Sequence, residues 1–413
     1  MSFYNRFRHE VTVGGAVGTE PAAEVSTSRA VVAGLVITGL LVWLGFTNPW
    51  TLLFVVGLLV SILLHEVGHF VTARRTGMKV TQFFMGFGPR LWSTQRGEVE
   101  YGARAFPLGA FVRIIGMNVH DEVESGDEQR AYRNKSYPRQ LLVITAGSVM
   151  HVIIALVLFI GIYAFAGRYQ ETGTVVVGAP PAIGSPAEAA GIREGDTIVS
   201  AGGLPVETRN ELVSVITAAE PGDTLDILYV RDGREIAATA QLAANPGDPA
   251  IGYLGVATSS SDYVKQSIPE AVAHSVGDVV TTAGNSVKGV FTALNPFNSI
   301  RALQDPEANL ETRPTTVVGA SQIGGQLGEE EGLKGVLLLL ASVNVFVGVF
   351  NMFPLLPFDG GHAAIATYER IRSRAGQRYR ADVNKMIPVT TVVMGLLGFL
   401  LFVGLYLDIT NPF

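Results

Sequence analysis

One apolar stretch carries the residues that decide the fold: Thr51–Thr72 reads TLLFVVGLLVSILLHEVGHFVT. Its length suits a helix that crosses a bilayer, for which about 20 apolar residues are needed. Near its end stand His65, Glu66 and His69. Because residues i and i+4 lie on one face of a helix, His65 and His69 can bind one Zn²⁺ ion together. Glu66 then lies beside the metal, where a base can take a proton from metal-bound water.

Ionisable side chains inside an apolar segment point to a functional site. A Glu and two His in a bilayer are costly unless they are partnered, and such residues mark function by default. The alternative is a pair of His that merely hydrogen-bond. The energetic cost disfavours that alternative, so the sequence predicts a zinc site within the membrane.

Four further apolar stretches are long enough to be membrane spans. They are Ala30–Phe46, Leu141–Ala166, Gly335–Leu356 and Ile387–Tyr406. The first lacks a clear cleavage site and is followed at once by another span, so we expect it to be a retained anchor. The sequence therefore predicts a polytopic α-helical membrane protein with about five transmembrane helices.

Composition excludes several classes of protein. Hydrophobic residues make up 48% and charged residues 16% of the 413 residues, and there is no Cys. So little charge disfavours a disordered chain, and the net charge of -6 disfavours a nucleic-acid partner. Without Cys, a disulfide scaffold, a cysteine nucleophile and a thiolate metal site are excluded. Any metal site must use His and carboxylates.

The positions of Lys and Arg predict the orientation in the membrane. Three basic clusters fall on one side when the spans alternate, and that side is expected to be cytoplasmic. The N-terminus is then cytoplasmic and the C-terminus external. Segment 168–334, with 10 basic and 21 acidic residues, lies outside as well. The clusters are Arg74, Arg75 and Lys79; Arg133, Lys135 and Arg139; and Arg370, Arg372, Arg374, Arg378, Arg380 and Lys385.

A catalytic zinc site needs a third protein ligand. The best candidate is Asp359, in the run Asn351-Met-Phe-Pro-Leu-Leu-Pro-Phe-Asp359-Gly-Gly. Pro354 and Pro357 break the helix, and broken backbone at membrane depth is tolerated where it lines a polar cavity. Asp359 and the His pair fall toward the cytoplasmic ends of antiparallel spans, so they can meet. The alternative for Asp359 is an ordinary turn residue before Gly-Gly.

The outer segment contains a small β-rich module at about 173–257. Gly222-Asp223 and Asp232-Gly233 are turn signals, and Asn210–Ala219 has helical spacing. The run Ser185–Val199, followed by Gly203-Leu-Pro-Val, resembles a bacterial PDZ domain. Such domains bind peptide C-termini or extended segments by strand addition. The alternative is a generic β-sandwich spacer.

The remaining outer residues form the region 258–334. Residues 263–300 are amphipathic and are expected to lie against the membrane surface. Residues 303–334 are rich in Gly, Glu and Pro and are expected to form a partly flexible lead into the next span. The predicted organisation is a cytoplasmic tail at 1–29, the added anchor at 30–46, catalytic membrane core at 51–166 and 335–413, and between these the PDZ domain at 173–257 and the region 258–334.

These motifs together resemble the site-2 proteases, a family of zinc intramembrane metalloproteases, and in particular their bacterial PDZ-containing branch. The sequence His65–His69 matches the family's HExxH motif, and Asn351–Gly361 matches its Asn-x-x-Pro-x-Pro-x-Leu-Asp-Gly motif, with Phe358 in place of Leu. Two stretches resemble the family's membrane-associated β segment, which can present an edge to an unwound substrate. They are Phe84–Trp92 and Phe106–Arg113.

The resemblance implies a fold, an activity and a set of roles. His65, His69 and Asp359 would be zinc ligands and Glu66 the catalytic base. The protein would be a multi-pass enzyme of a bacterial plasma membrane that performs regulated intramembrane proteolysis. Its partners would be the lipid bilayer and single-span membrane proteins, such as anti-sigma factors or signal-peptide remnants. Asn351 is the candidate for clamping the substrate backbone or stabilising the oxyanion.

Two further His residues are candidates for supporting roles. His151 stands in the run Ala146-Gly-Ser-Val-Met-His151, where the family usually has Asn. It either replaces that Asn as a hydrogen-bonding group near the site, or acts as a fourth ligand or a proton relay. His362 lies three residues after Asp359 and either orients a ligand or water or belongs to the surface.

Two rival functions remain open from the sequence. A receptor or scaffold could use the PDZ domain to hold partners, but it would not need a complete set of ligands and base. A metal transporter would need several ionisable residues along a path, whereas the sequence offers one tight cluster. In the protease hypothesis the PDZ domain filters substrates by size, and the alternative is that it recruits them.

Overall fold

The computed structural model describes residues 27–117, 121, 123–307, 310, 312–374, 377 and 379–413. Most of the predicted tail at 1–29 lies outside these residues. The chain forms two compact units. The inserted unit is Gly161–Ile268, and the membrane unit comprises the residues before it and after it.

The described residues before the inserted unit form three helices, the last of which runs into that unit, and a β-hairpin. Helix α2 begins at Pro49 because the Asn48 side chain accepts a hydrogen bond from the Thr51 N–H at 2.9 Å and caps the helix. Two short 3₁₀ turns, Glu128–Arg130 and Tyr132–Asn134, follow the hairpin. The elements are α1 (Thr27–Thr47), α2 (Pro49–Arg75), strands β1 (Val80–Arg96) and β2 (Val99–Ile114), and α3 (Tyr137–Phe165).

The hairpin β1–β2 contains both stretches that the sequence predicts to be a β segment. The strands are antiparallel, and their register shifts repeatedly between Val80 and Trp92. Such bulges bend and twist a strand pair. The hairpin also packs against α2, the helix that carries His65 and His69. The β segment therefore lies next to the candidate site.

The inserted unit is an antiparallel sheet with two helices. Its strand order is β10-β3-β4-β6-β7, with β5 paired to β4 and a separate pair β8–β9. Strand β10 pairs with β3 from Thr258↔Val177 to Val264↔Arg168. The sheet therefore extends beyond the predicted bounds 173–257. The elements are β3 (Arg168–Val177), α4 (Pro186–Ala189), β4 (Thr197–Ala201), β5 (Leu204–Pro205), α5 (Arg209–Ala218), β6 (Thr224–Arg231), β7 (Arg234–Gln241), β8 (Ala243–Ala244), β9 (Gly252–Tyr253) and β10 (Thr258–Val264).

The core of the inserted unit is formed by one face of the sheet together with α5. Alternate residues of the strands are buried, among them Ile198 and Ile227, and Leu212 of α5 packs on them. Helix α5 covers the segment that the sequence predicts to be helical. It begins with a capping box in which Thr208 and Glu211 satisfy each other's backbone N–H groups.

The second part of the membrane unit is helical. Residues 263–300, predicted to be amphipathic, contain the end of β10 and the long helix α6. A 3₁₀ turn, Val383–Met386, precedes the last helix. The elements are α6 (Ile268–Ala293), α7 (Pro296–Gln304), α8 (Val317–Glu331), α9 (Leu333–Asn351), α10 (Asp359–Arg372) and α11 (Ile387–Thr410).

Four of the described helices are long and apolar enough to cross a membrane: α2, α3, α9 and α11. They correspond to four of the five predicted spans. The part of α1 that could be assessed, Gly34–Thr47, is apolar but shorter than a membrane span. The fifth span, at 30–46, therefore stays a prediction.

Helix α8 is the main difference from the expected flexible lead at 303–334. Gly324, Gly325 and Gly328 form one side of α8, which we call its glycine face, and this face packs on the start of α2. A Cβ atom at Gly324 would lie 2.8 Å from Phe54 Cγ, so only glycine allows this approach. The Gly content that indicated flexibility instead permits close helix packing.

The last span is tied to α8 by a buried carboxylate. Asp408 Oδ2 accepts hydrogen bonds from the Thr316 N–H (2.8 Å), the Thr316 hydroxyl (2.7 Å) and the Gly319 N–H (3.0 Å) at the start of α8. Arg313 Nη2 lies 3.6 Å from Asp408 Oδ1. Both side chains are almost completely buried. The Asp408 carboxylate of α11 therefore accepts hydrogen bonds from N–H groups at the N-terminus of α8 that have no partner within that helix.

Candidate metal centre

Helix α2 places His65 and His69 on one buried face. Both residues are 7% exposed, and their Nε2 atoms lie 3.1 Å apart. The spacing of four residues brings one ring above the other, as the sequence predicts. Glu66 is one position further round the helix, with Oε1 4.0 Å from His65 Nε2. The carboxylate therefore lies beside the His pair.

Asp359 is far from the His pair in sequence but lies next to it in the structure. Helix α9 ends at Asn351, the chain turns, and α10 starts at Asp359. A Cβ atom at Gly361 would lie 2.6 Å from the backbone carbon of Leu355, so the turn requires glycine. As a result, Asp359 Oδ2 lies 3.4 Å from His65 Nε2 and 3.2 Å from His69 Nε2.

The three ligand atoms fit a zinc ion. Ligands about 2.0–2.1 Å from a tetrahedral metal are about 3.3 Å apart, close to the three separations found here. Asp359 Oδ2 is buried and has no hydrogen bond of good geometry to the described residues. A cation between the three groups would satisfy this oxygen. His65, His69 and Asp359 are the one group of this kind among the described residues.

Helix α3 provides a hydrogen bond that orients the ring of His69. The Nδ1 atom of His69 lies 2.7 Å from the Val143 carbonyl oxygen, to which it donates a hydrogen bond. Nε2 of His69 is then free to bind a metal, the usual arrangement for a metal-binding His. Gly147, one helical turn further, leaves room for both imidazoles.

His151 of α3 also belongs to this region. Its ring lies 5.0 Å from the His65 ring between centroids, and its Nδ1 is 2.8 Å from Asn344 Oδ1. It is not a member of the group that could hold a metal, within the described part of the chain. The geometry therefore favours the hydrogen-bonding alternative over the fourth ligand.

Two predicted residues, Asn351 and His362, lie at the break between α9 and α10, and His362 is close enough to Asp359 and His69 to interact with their charges. Asn351 is the last residue of α9 and is partly buried. His362 is on the first turn of α10, one turn after Asp359, and is partly buried as well.

Three contributors were missed by reasoning from the sequence. They are Gly147, which lies against both imidazoles, Asn344, which contacts His151, and Ser61, which accepts a hydrogen bond from Asn344. Ser61 and Asn344 are isolated polar residues in apolar helices, and that signal could have singled them out. Gly147 has no such signal, because its importance depends on which helix approaches it.

Known proteins resemble this chain over most of its length. The profile of peptidase family M50 matches residues 53–395. The zinc metalloprotease Rip1 of Mycobacterium tuberculosis (strain ATCC 25618 / H37Rv) is 33% identical over 396 residues, covering 87% of this chain and 97% of that protein. A putative zinc metalloprotease of Clostridium perfringens (strain 13 / Type A), CPE1693, is 27% identical over 350 residues, covering 84% and 93%.

A solved structure aligns with part of the chain. It is the PDZ domain of the SdrC-like protein from Listeria monocytogenes, with 20% sequence identity and a TM-score of 0.19. The alignment covers 22% of this chain and 90% of that structure.

Proposed function

The chain belongs to peptidase family M50, the site-2 proteases, and we propose that it cleaves membrane-spanning segments of other membrane proteins within the bilayer of a bacterial plasma membrane. It is a multi-pass membrane metalloendopeptidase that uses Zn²⁺. We assign the zinc ligands to His65, His69 and Asp359. The observation that carries this proposal is the convergence of their ligand atoms, all within 4.8 Å of one another, with both His residues on the apolar helix α2.

The proposed chemistry follows from the positions of the side chains. His65, His69 and Asp359 would hold Zn²⁺, which would supply Lewis-acid chemistry there. Glu66, beside the His pair, accepts the proton of the attacking water and returns it to the leaving amine. The Asn351 amide, at the break between α9 and α10, donates a hydrogen bond to the substrate backbone.

Access to the scissile bond is a separate physical problem. A membrane helix satisfies its own carbonyl groups, so a substrate must unwind before it can react. The hairpin β1–β2 packs against α2 and offers strand edges for an extended segment. We assign the binding of the unwound substrate to this hairpin. Its substrates would be single-span proteins of the kind represented by anti-sigma factors and signal-peptide remnants.

The rival functions have less support. Membership of a peptidase family favours catalysis over a receptor or scaffold. A transporter needs a path of ionisable groups. The described residues contain one compact group that could hold a metal.

The test of the catalytic assignment is Glu66→Gln in the full-length protein. The amide keeps the shape of the side chain but cannot act as a base, so zinc content should be unchanged while cleavage of a single-span substrate falls about 10²–10⁴-fold. Glu220→Gln, at an exposed position of the inserted unit, is the matched control. Near-normal cleavage by Glu66→Gln would show that another group activates the water.

The metal assignment is tested by elemental analysis. The double variant His65→Ala, His69→Ala should lose the bound zinc, because one carboxylate is insufficient to hold it. Retention of about one zinc per chain in this variant would exclude the proposed ligand set.

For the inserted unit we propose the role of a PDZ-type filter outside the cytoplasm. Strand β10 is at the edge of the sheet and α5 lies next to it, an arrangement that accepts an extended peptide or a peptide C-terminus. The filter would exclude substrates that still carry a bulky external domain. It would not be needed for the cleavage of trimmed substrates.

The filter is tested by deleting the sheet as a whole. Because Arg168 pairs with Val264, a short Gly/Ser linker can replace residues 168–264 without stretching the chain. The deleted enzyme should cleave trimmed substrates normally and should also cleave untrimmed ones. Loss of cleavage of the trimmed substrate, in a protein that still holds zinc, would mean that the unit recruits substrates.

A further inference from the structure

A chain of buried hydrogen bonds crosses three membrane helices and ends beside the metal centre. It joins Ser61 of α2, Asn344 of α9 and His151 of α3. Asn344 Nδ2 donates to Ser61 Oγ at 3.1 Å, and Asn344 Oδ1 lies 2.8 Å from His151 Nδ1. The three residues are at most 2% exposed. Polar groups this deeply buried are costly unless they have hydrogen-bond partners, and here they satisfy one another.

The chain has only one consistent direction. The Ser61 hydroxyl donates to the Gly57 carbonyl at 2.9 Å, so its oxygen is an acceptor for Asn344. Asn344 Nδ2 also donates to the Leu340 carbonyl at 2.8 Å. Reversing the amide would place its oxygen against that carbonyl oxygen. The Asn344 oxygen therefore faces His151, whose Nδ1 must carry the hydrogen.

The two candidate zinc-binding imidazoles are supported differently. His69 donates from Nδ1 to the Val143 carbonyl. The Nδ1 atom of His65 is buried and has no hydrogen bond of good geometry to the described residues, and the backbone group that interacts with its ring is that of Gly147. A metal-binding His is usually oriented by a partner at its second nitrogen. For His65, the ring of His151 at 5.0 Å is an alternative support.

Helix α9 also holds His151 by close packing. A Cβ atom at Gly348 would lie 3.2 Å from His151 Cβ, so α9 approaches α3 closely at this point. The His151 ring is thus limited by α9 on one side, by the Asn344 hydrogen bond, and by His65. A ring restricted in this way can limit the rotation of its neighbour.

We propose that Asn344 and Ser61 are positioning residues that act through His151. They hold His151 as the Nδ1–H tautomer, and its ring then keeps His65 in the orientation that binds zinc. The chain of hydrogen bonds adds, for His65, to the contact with the Gly147 backbone, whereas His69 is oriented by the Val143 carbonyl. This inference rests on the proposed zinc ligands.

The test is a double-mutant cycle on the full-length protein in detergent, with zinc affinity measured by competition with a chelator. Asn344→Leu keeps the volume but removes the hydrogen bonds, and it should weaken zinc binding about 10–100-fold. In a His151→Phe background the same substitution should have little further effect, because its route to His65 is already lost. The absorption spectrum of the Co²⁺-loaded protein should change in Asn344→Leu, since it reports ligand geometry.

Ser342→Ala is the matched control, because it removes a hydroxyl of α9 that donates a hydrogen bond within its own helix, to the Leu338 carbonyl at 2.9 Å. It should leave zinc affinity unchanged. Ser61→Ala is the milder variant if Asn344→Leu does not fold, and it should cause a smaller loss of affinity in the same direction.

Three outcomes would contradict the proposals. Unchanged zinc affinity in Asn344→Leu and Ser61→Ala would overturn the positioning role. An equal loss from Asn344→Leu with and without His151 would show that Asn344 does not act through that ring. Retained zinc in His65→Ala, His69→Ala would instead overturn the ligand set, so the two failures are distinguishable.

Discussion

Gly147→Ala is the sharpest test of how the metal centre is packed. An added Cβ atom would lie 2.5 Å from His65 Nε2 and closer still to His69 Nε2. Ordinary contacts to carbon need about 3.5 Å, so the rings or the helices must move by about 1 Å. Zinc sites tolerate deviations of about 0.2 Å in ligand distance. One methyl group should therefore disrupt the centre while every proposed ligand residue is unchanged in sequence.

The expected result is a weaker zinc affinity and a fall in cleavage of about 10²-fold, the usual effect of a 1 Å misplacement. Zinc is measured by competition with a chelator, and cleavage with a single-span substrate. Gly161→Ala is the matched control in the same helix α3, because a Cβ atom there has no neighbour within 4 Å. It should leave zinc binding intact. Normal zinc affinity and cleavage in Gly147→Ala would refute this account of the packing.

Two predictions concern stability. Burial alone raises the pKa of Asp196, but hydrogen bonds from Arg231 and from the backbone N–H of Arg193 lower it more, so the pKa lies below its usual range. The pair of Asp196 and Arg231 should therefore stabilise the inserted unit above about pH 4, and this stabilisation should be lost as the pH falls further. The difference in Tm between wild type and Asp196→Asn should shrink on acidification. A difference in Tm that does not depend on pH would contradict this prediction. Arg313→Met should destabilise the membrane unit by about 3–5 kcal/mol, because it leaves Asp408 buried without a counter-charge. Adding Asp408→Asn should recover part of the Tm in detergent, and a Tm unchanged by Arg313→Met would show that the pair is dispensable.

The candidate site could be predicted where its residues are close in sequence. His65, Glu66 and His69 lie on one helix, and the period of 3.6 residues decides which side chains share a face. Asp359 was predicted from a different signal, a carboxylate in a broken helix beside two prolines. The structure places all four together. Their catalytic and ligand roles stay proposals.

The membrane spans and the inserted sheet were also predictable from the sequence, but the helix at 317–331 was not. Apolar length predicted the spans α2, α3, α9 and α11, and turn signals indicated the β-rich module, which the structure shows as an antiparallel sheet. The prediction was less accurate for 303–334, where Gly residues were interpreted as flexibility. In α8 they instead allow a helix to lie against Phe54. Glycine can make a segment flexible or can allow two helices to pack closely, and only the surrounding structure shows which of the two applies.

The sequence alone determined the membrane class, the zinc metalloprotease family and the β-rich insertion, because each depends on local spacing or on apolar length. Only the tertiary structure decided that Asn344 faces His151, that Gly147 lies against the imidazoles and that Asp408 caps α8. These contacts join helices that are distant along the chain. Their formation depends on how side chains of several helices fill one space, and no periodicity within a single helix encodes that packing.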